Sequence, residues 1–600
     1  MTDYVLIISI GPVQGFIAAA RRSRDLWSGS WLLSEMAKAC AKSLYEQKAE
    51  LIFPAPQQPD QELAKNSDLS VGNKIQVIVT ANSSDDVAKV AQQAKQAAKD
   101  RFIEVANHAK NGLNPKDLRA EMWQTQIDDY VEAQAAWAKI DTNKKDGYAL
   151  AADLAAKVLA ARKATRDFSP TALSAYDTPF MLPKSSLDGA RETVLQESKQ
   201  LKNLTRRKLG LSESEQLDCA GIAKRLGGKI DQFTPFSRIA AHSWLKTLSK
   251  DELTTLCKAY EPLIALDLAT RVNGNQGCYQ EMPFDAQYCY RSRLDAARRE
   301  HNKDADCSEV LQKLFDVLKP IWQKHGQPCP YSVLLLADGD RMGELLDKAK
   351  DKNTHQRITK ALSAFAGNVH NIVRQYEGHA IYAGGDDVLA FVPLNTAYDC
   401  AKALSEQFSQ ALDKVASDLG VDKKPTLSVG LGISHMMEPL GNIRALADKA
   451  EKTAKGNDEP EDKQRNALAI TLDVRSGSTT SIRLGWNDEH SHQAFKRWIA
   501  AYSQKTIPSR VAYDTRNVYQ RTLFALQGID KQEGIPQAEF KRMLDKTRTH
   551  GGEKLSDENR KLIEERANQL GYAKLETLAT ELIIARWFAA KKASDLGRQA

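Results

Sequence analysis

Residues 378 to 393 read GHAIYAGGDDVLAFVP. Two short apolar runs are joined by Gly384, Gly385, Asp386 and Asp387, the pattern of a β-hairpin with two carboxylates at its tip. Paired glycines supply the positive φ that a tight turn requires, and they leave room for a phosphate chain to approach the backbone. Turns favour Gly and Asp for conformational reasons alone, so the hairpin needs a second feature before it points to chemistry. That feature lies upstream. Tyr331 to Ala337 (YSVLLLA) is a buried-strand run that ends in Asp338-Gly339-Asp340 and is followed by a helical stretch from near Met342.

From Asp338 to Asp386 the interval is 386 − 338 = 48 residues, enough for one long amphipathic helix, about Thr354 to Tyr376, and the return to a neighbouring strand. The result is a βαβ-like unit with acids at adjacent strand ends. Hard oxygen ligands of this kind suit Mg²⁺ or Mn²⁺, which bind through one or two carboxylates together with substrate phosphates. The constellation predicts nucleotidyl transfer.

Six hundred residues imply several domains, because single hydrophobic cores stop growing at about 250 to 300 residues. No apolar stretch approaches the ~20 residues that cross a bilayer, and no basic region precedes the short apolar run in MTDYVLIISIG, so neither a membrane span nor a signal peptide is expected. A cytoplasmic location follows. The eight cysteines contain no CxxC pair, which argues for reduced, mostly buried thiols rather than disulfides or structural zinc. A net charge of +7 permits contact with nucleic acid without requiring it. The basic stretches Arg21, Arg22, Arg24 and Lys202 to Lys208 could meet an RNA backbone, but read first as exposed helix faces.

Near the start, Tyr4 to Ile10 (YVLIISI) has the character of residues 331–337, and the turn Gly11-Pro12-Val13-Gln14-Gly15 launches a helix from about Phe16. Strands at Leu51 to Phe53 and Lys74 to Thr80 and a helix from Ser84 to Ala109 complete β-α-β-β-α. Two copies of one unit are therefore expected. The earlier copy offers Gly11 where the later one carries Asp338, lacks a matching hairpin, and reads as catalytically silent. Fold class is α+β: residues 1–111 form a first such unit, 112–305 a mainly helical domain, 306–475 a second unit with the Gly-Gly-Asp-Asp site, and 476–600 a C-terminal helical domain.

IGPVQGFIAAARRSRDLWSGSWLLS, LIFPAP, DGDRMG, YAGGDDVLAFVP and AEKTAK with RNALAI occur in that order along the chain. Together these motifs resemble the large subunit of Type III-B CRISPR effector complexes. The resemblance implies two facing ferredoxin-like palm domains with ATP between them. It also implies synthesis of cyclic oligoadenylate second messengers, switched on when guide CRISPR RNA pairs with target RNA in the assembled complex. On that basis Asp338 and Asp386 hold two Mg²⁺ or Mn²⁺ ions with Asp387 assisting, and these three acids are the expected catalytic and metal residues. Gly384, Gly385, Gly339, Asp340 and Lys455 are the expected nucleotide-binding residues, Lys455 for the triphosphate; Gly11, Gln14 and Gly15 would border a second nucleotide from the silent palm. Expected partners are the other subunits of the complex, guide and target RNA, and ATP, with no membrane. The C-terminal helices are expected to dock a small helical subunit.

Two departures from the family pattern stand out. Many relatives begin with a histidine-aspartate nuclease domain, whereas no His-Asp dipeptide occurs here and the first strand starts at residue 4, so no DNase activity is expected. Relatives also carry a four-cysteine zinc knuckle. Ser185, Asp188, Asp218 and Gly221 occupy the matching positions and Cys219 is out of register, so no zinc is expected. Rival readings are a palm that joins ATP to S-adenosylmethionine, a non-catalytic scaffold subunit, and a stand-alone diguanylate cyclase.

Overall fold

The computed structural model describes residues 1–165, 182–197, 200–212, 214–228, 233–272, 277–474, 477–526, 534–549 and 551–597. Ten strands form two sheets. The first contains β1 (Thr2–Gly11), β2 (Glu50–Phe53), β3 (Lys74–Ala81) and β4 (Glu132–Lys139) in the order β2-β3-β1-β4. The second contains β5 (Tyr331–Asp340), β6 (His379–Gly384), β7 (Asp387–Val392), β8 (Thr426–His435), β9 (Ala467–Leu472) and β10 (Thr480–Gly485) in the order β10-β9-β8-β5-β7-β6. In chain order, β1 to β4 and β5 to β8 are both antiparallel βαββαβ units with the fourth strand beside the first, then the third, then the second. That is the ferredoxin-like arrangement, present twice.

β4 falls in a segment expected to be helical. Its sequence, EAQAAWAK, is rich in alanine, the strongest helix former, yet it pairs with β1 along Tyr4 to Gly11. Tertiary context explains the reversal: Ala136 and Ala138 are buried, and their small side chains let Ala151 and Ala155 of the Gly147–Ala164 helix come close. The first palm therefore extends well past residue 111. At the other side, the Ala305–His325 helix packs with Lys250–Ala265 and Arg291–Glu300 in the middle helical domain, so the second palm begins at β5. The expected boundary at 475/476 lies outside the described residues, and β10 beyond it still pairs with β9.

β5 is apolar on both faces because both are covered. Val333, Leu335 and Ala337 join a core with the Lys352–Gln375 and Leu394–Asp418 helices. Leu334 and Leu336 point the other way, into a cluster with Leu26 and Trp27 of the first palm's Ser23–Glu46 helix and Ile443 and Ala447 of the Leu440–Lys455 helix. Strand alternation puts Asp338 on this second face, the one turned towards the first palm. A further contact joins the palms: Gln356 Nε2 donates to the Leu51 carbonyl at 3.0 Å, Lys352 pairs with Glu50 at 2.8 Å, and Tyr148 and His355 hydrogen-bond at 2.9 Å. The C-terminal helices continue the second palm's core, with Trp498, Trp587 and Phe588 buried in it and Tyr519 packed at its margin. None of the eight cysteines is joined in a disulfide.

Candidate active site

The β6–β7 hairpin closes on a two-residue turn, Gly385-Asp386, because Gly384 and Asp387 pair directly. Gly385 has φ +69°, the left-handed conformation that glycine adopts without a steric penalty, and a Cβ there would meet open space. Gly384 is small for a different reason. A Cβ on it would lie 2.0 Å from the hydroxyl oxygen of Tyr382, which folds back along its own strand and leaves no room for a side chain at this position.

β5 does not stop at Ala337. It runs through Asp338-Gly339-Asp340, each paired with β8, so the acids sit on a rigid strand rather than in a turn. At Gly339 the two halves of the site meet: a Cβ there would stand 2.7 Å from Asp386 Cβ and 3.0 Å from Asp386 Oδ2. The hairpin tip thus lies directly against the backbone that carries Asp338. Asp387 completes the group, near enough to Asp338 and Asp386 for both to act on its proton affinity.

Crowding of like charge marks these acids. Desolvation first, then the charge of Asp338, pushes the Asp386 carboxyl up to about 6. Asp387 is raised to about 8, by desolvation, then by its contact with Asp338 and the charge of Asp386 and Asp338; the residue itself is exposed, so solvent screening works against this rise. The compensating cation is Lys455, at the C-terminal end of its helix, which pairs with Asp338 and, at 3.1 Å, with Glu451 one turn back. Burial pulls the Lys455 ammonium down, but the bond and charge of Asp338 and the charge of Glu451 outweigh it, and its pKa is raised.

Asp340, one of the expected nucleotide-binding residues, differs from its neighbours in being buried and fully engaged. Its carboxylate is 1% exposed and accepts hydrogen bonds from Thr426 Oγ1 at 2.8 Å, Ser428 Oγ at 2.9 Å and the Asn466 backbone N–H at 3.0 Å. It ties β5 to β8 and to the approach to β9, which fixes the strand that holds Asp338. Burial nonetheless raises its pKa, the donors offsetting only part of that effect.

Equivalent positions in the first palm lack the acids. Asp338 lies opposite Ser428, two residues into β8, and one step past the Ala337–Val388 pair towards Asp387. In the first sheet the residue two into β4 is opposite Ser9, and Ser9 pairs with Lys74. Ser9 and Lys74 therefore stand where the second palm has Asp338 and Asp387, and Gly11 corresponds to Asp340. At these two positions the first palm therefore carries a hydroxyl and a cation in place of the two acids. Gln14 and Gly15 are exposed in the Gln14–Ala18 turn of helix, and Ile17 packs in the same cluster as Leu336 and Tyr382. This places the turn beside the face that carries Asp338.

Sequence reasoning missed Tyr382, Glu451 and the Thr426–Ser428–Asn466 cradle. Glu451 had a local signal, its spacing of four from Lys455; the cradle had none. The knuckle positions do converge: Ser185 Oγ donates to Asp218 at 3.2 Å, Asp218 caps the Cys219–Leu226 helix through the Gly221 N–H at 2.8 Å, and Asp188 is near enough to act on Asp218's charge. The basic stretches are partly exposed, as expected, and partly engaged: Arg21, Arg22, Lys202 and Lys208 are exposed, Arg24 is half-buried, Arg22 donates to the Gly210 carbonyl, and Arg207 pairs with Asp304 at 3.3 Å.

The all-oxygen donor set of Asp338, Asp386 and Asp387, carrying more negative charge than Lys455 cancels, fits a hard divalent cation. Among the described residues no group of three or more His, Cys, Asp or Glu side chains is so placed, as it stands, that it could hold a metal ion. No helix among them is long and apolar enough to cross a membrane.

Comparison with known proteins adds an independent line. Residues 331–469 match the family described as Cas10/Cmr2, second palm domain, and residues 5–107 match CRISPR-associated protein Cmr2, N-terminal. The chain is 24% identical over 575 residues to the CRISPR system Cmr subunit Cmr2 of Pyrococcus furiosus, covering 80% of this chain and 63% of that protein's length. Its fold is similar to a chain of the Type III-B Cmr-beta complex solved by cryo-electron microscopy, in the apo state (TM-score 0.57, 13% identity, 90% of this chain and 77% of that one). Cmr-beta bound to cognate target RNA gives a TM-score of 0.58 at 13% identity, over 90% of this chain and 78% of that one.

Proposed function

We propose that this chain, which matches the Cas10/Cmr2 second-palm and Cmr2 N-terminal family models and is similar to a Cmr2 subunit, is the large subunit of a Type III-B RNA-guided effector complex and polymerises ATP into cyclic oligoadenylate when target RNA is bound. The observation that carries this reading is the contact of Asp386 with Gly339, which brings the hairpin acids onto Asp338 beside Lys455. Asp338, Asp386 and Asp387 would hold magnesium or manganese. Bound there, the ions supply neutralisation of the α-phosphate and pyrophosphate and acidify a ribose 3′-hydroxyl.

The protein's own share is positioning and charge, which dominate phosphoryl-type transfers. Lys455 offers a cation to the triphosphate from the end of a helix packed on β5 and β8. Asp340 holds the acid-bearing strand in register. Tyr382, with its hydroxyl against Gly384, stiffens the tip that presents Asp386. The Gln14–Gly15 turn supplies the facing wall for a second nucleotide. Clustered carboxylates with raised proton affinity favour catalysis over a scaffold role, since a scaffold has no physical need for them.

The test uses the assembled complex with guide RNA, matched target RNA, ATP and Mg²⁺, with product mass as readout. Asp386→Ala, Asp387→Ala should abolish cyclic product and leave assembly and target binding at parental levels. Undiminished product from that variant would refute the assignment.

A further inference from the structure

A cavity of about 280 Å³ lies between the palms at the other end of β6 from the acidic tip. The cavity is lined by β6 from His379 to Ile381 and the strand ends at Gly384, so roughly 10 Å of strand separates the cavity from the tip. One wall is the first palm's Ser23–Glu46 helix, where Trp27 and Trp31 stack with ring centroids 6.0 Å apart and planes 13° from parallel. The opposite wall is the last turns of the Lys352–Gln375 helix and the start of β6.

Three basic side chains converge from that second wall: His370 and Arg374, one turn apart, and His379. His379 Nε2 is buried without a hydrogen-bond partner, and so is Oγ1 of Thr234, which also lines the cavity. The Arg374 guanidinium makes no hydrogen bond or ion pair among the described residues. Burial, then the neighbouring His370 and Arg374, holds the His379 imidazole down to about 3. His370 is lowered by burial and Arg374, against the opposing pull of Asp68. Lys38 also faces the space but is already paired with Glu35 and Ser67. Unpaired buried polar groups are costly, and here they gather around an empty volume beside a flat aromatic pair.

We propose that this cavity binds a nucleoside monophosphate, the phosphate on Arg374 with the two histidines and the base against the Trp27–Trp31 pair. A phosphate accepts charge-assisted hydrogen bonds from a guanidinium fork, and indole rings stack any base. The volume lies just below the range usual for ligand sites, about 300 to 1,000 Å³, which suits a small ligand such as a monophosphate. With one wall from each palm, an occupant bridges the two domains. The site is separate from the acidic tip and needs no metal.

The test is titration of the full-length chain with AMP in EDTA, followed by calorimetry and tryptophan fluorescence, with inorganic phosphate and adenosine as separate arms. AMP should bind and quench the tryptophans, with adenosine weaker by about tenfold or more. Arg374→Gln should weaken AMP by about tenfold or more, Trp31→Leu should weaken AMP while sparing inorganic phosphate, and Asp386→Ala, Asp387→Ala should leave AMP binding unchanged. Absence of AMP binding at millimolar concentration, equal affinity for adenosine, or parental affinity in both Arg374→Gln and Trp31→Leu would overturn the proposal. Loss of AMP binding in the Asp386, Asp387 variant would overturn it too, by moving the nucleotide to the tip.

Discussion

Gly339→Ala probes the site without touching a charge. The added methyl would sit 2.7 Å from Asp386 Cβ and 3.0 Å from both Asp386 Oδ2 and Met342 Cγ, whereas ordinary contacts of this kind begin at 3.4 Å. Asp386 belongs to the two-residue turn, so the shortfall of about 0.7 Å at its Cβ must be met by lifting the hairpin tip off β5. Over-packing of this order costs about 1–3 kcal/mol of stability, which a chain of this size tolerates. Displacement of a reacting group by about 1 Å can cost about 100-fold in rate, so cyclic product should form roughly 100-fold more slowly while target binding is retained. Gly343→Ala is the matched control: it lies four residues on, in the Met342–Asp347 helix, and its Cβ would meet nothing within 4 Å. Product formation by mass spectrometry, with complex assembly checked by size-exclusion chromatography, is the assay. A Gly339→Ala complex working within twofold of the parent, or a Gly343→Ala complex equally impaired, would refute the reasoning.

Asp340→Ala removes a carboxylate that satisfies three donors, so it should destabilise the chain by about 2–4 kcal/mol in urea unfolding, with Asp340→Asn costing less. Lys455→Met leaves Asp338 and Glu451 without their cation; ATP should bind more weakly, seen as a raised KM, with the fold intact by circular dichroism. The raised carboxyls give a pH signature. Asp386 and Asp387 keep protons in the folded chain above the pH of about 4 at which an unfolded aspartate releases them. Their contribution to stability is therefore complete below that pH and is lost as pH rises through about 6 and then about 8. Asp386→Asn, Asp387→Asn should raise the metal-free thermal midpoint at pH 8 and leave it unchanged at pH 4. Mg²⁺ competes with the same protons, so its stabilising effect on the parent should grow between pH 6 and pH 8 and vanish in the double variant.

Local signals made the second palm legible. YSVLLLA, the Gly-Gly-Asp-Asp tip and the periodic helix ending at Lys455 each declare an element within a dozen residues or so. β4 was hidden because alanine's preference for helix is overridden by pairing with β1 and by the close helix behind it. Asp338-Gly339-Asp340 presents two acids that the sequence cannot apportion. Only the return of Thr426, Ser428 and Asn466 from distant chain turns Asp340 inward as an anchor and leaves Asp338 to Lys455. The contact of Tyr382 with Gly384 was hidden in the same way, since a side chain two residues back along the strand folds over the glycine. The silent palm's Ser9 and Lys74 become visible once the two sheets are superposed by register rather than by motif.

Manganese soaked with a non-hydrolysable ATP analogue, located by its anomalous scattering in the assembled complex, tests the central claim most directly. The account predicts manganese bound by Asp338 and Asp386, with Lys455 moved onto the triphosphate. Manganese absent from these carboxylates while the analogue is bound, with Lys455 still on Asp338, would contradict it.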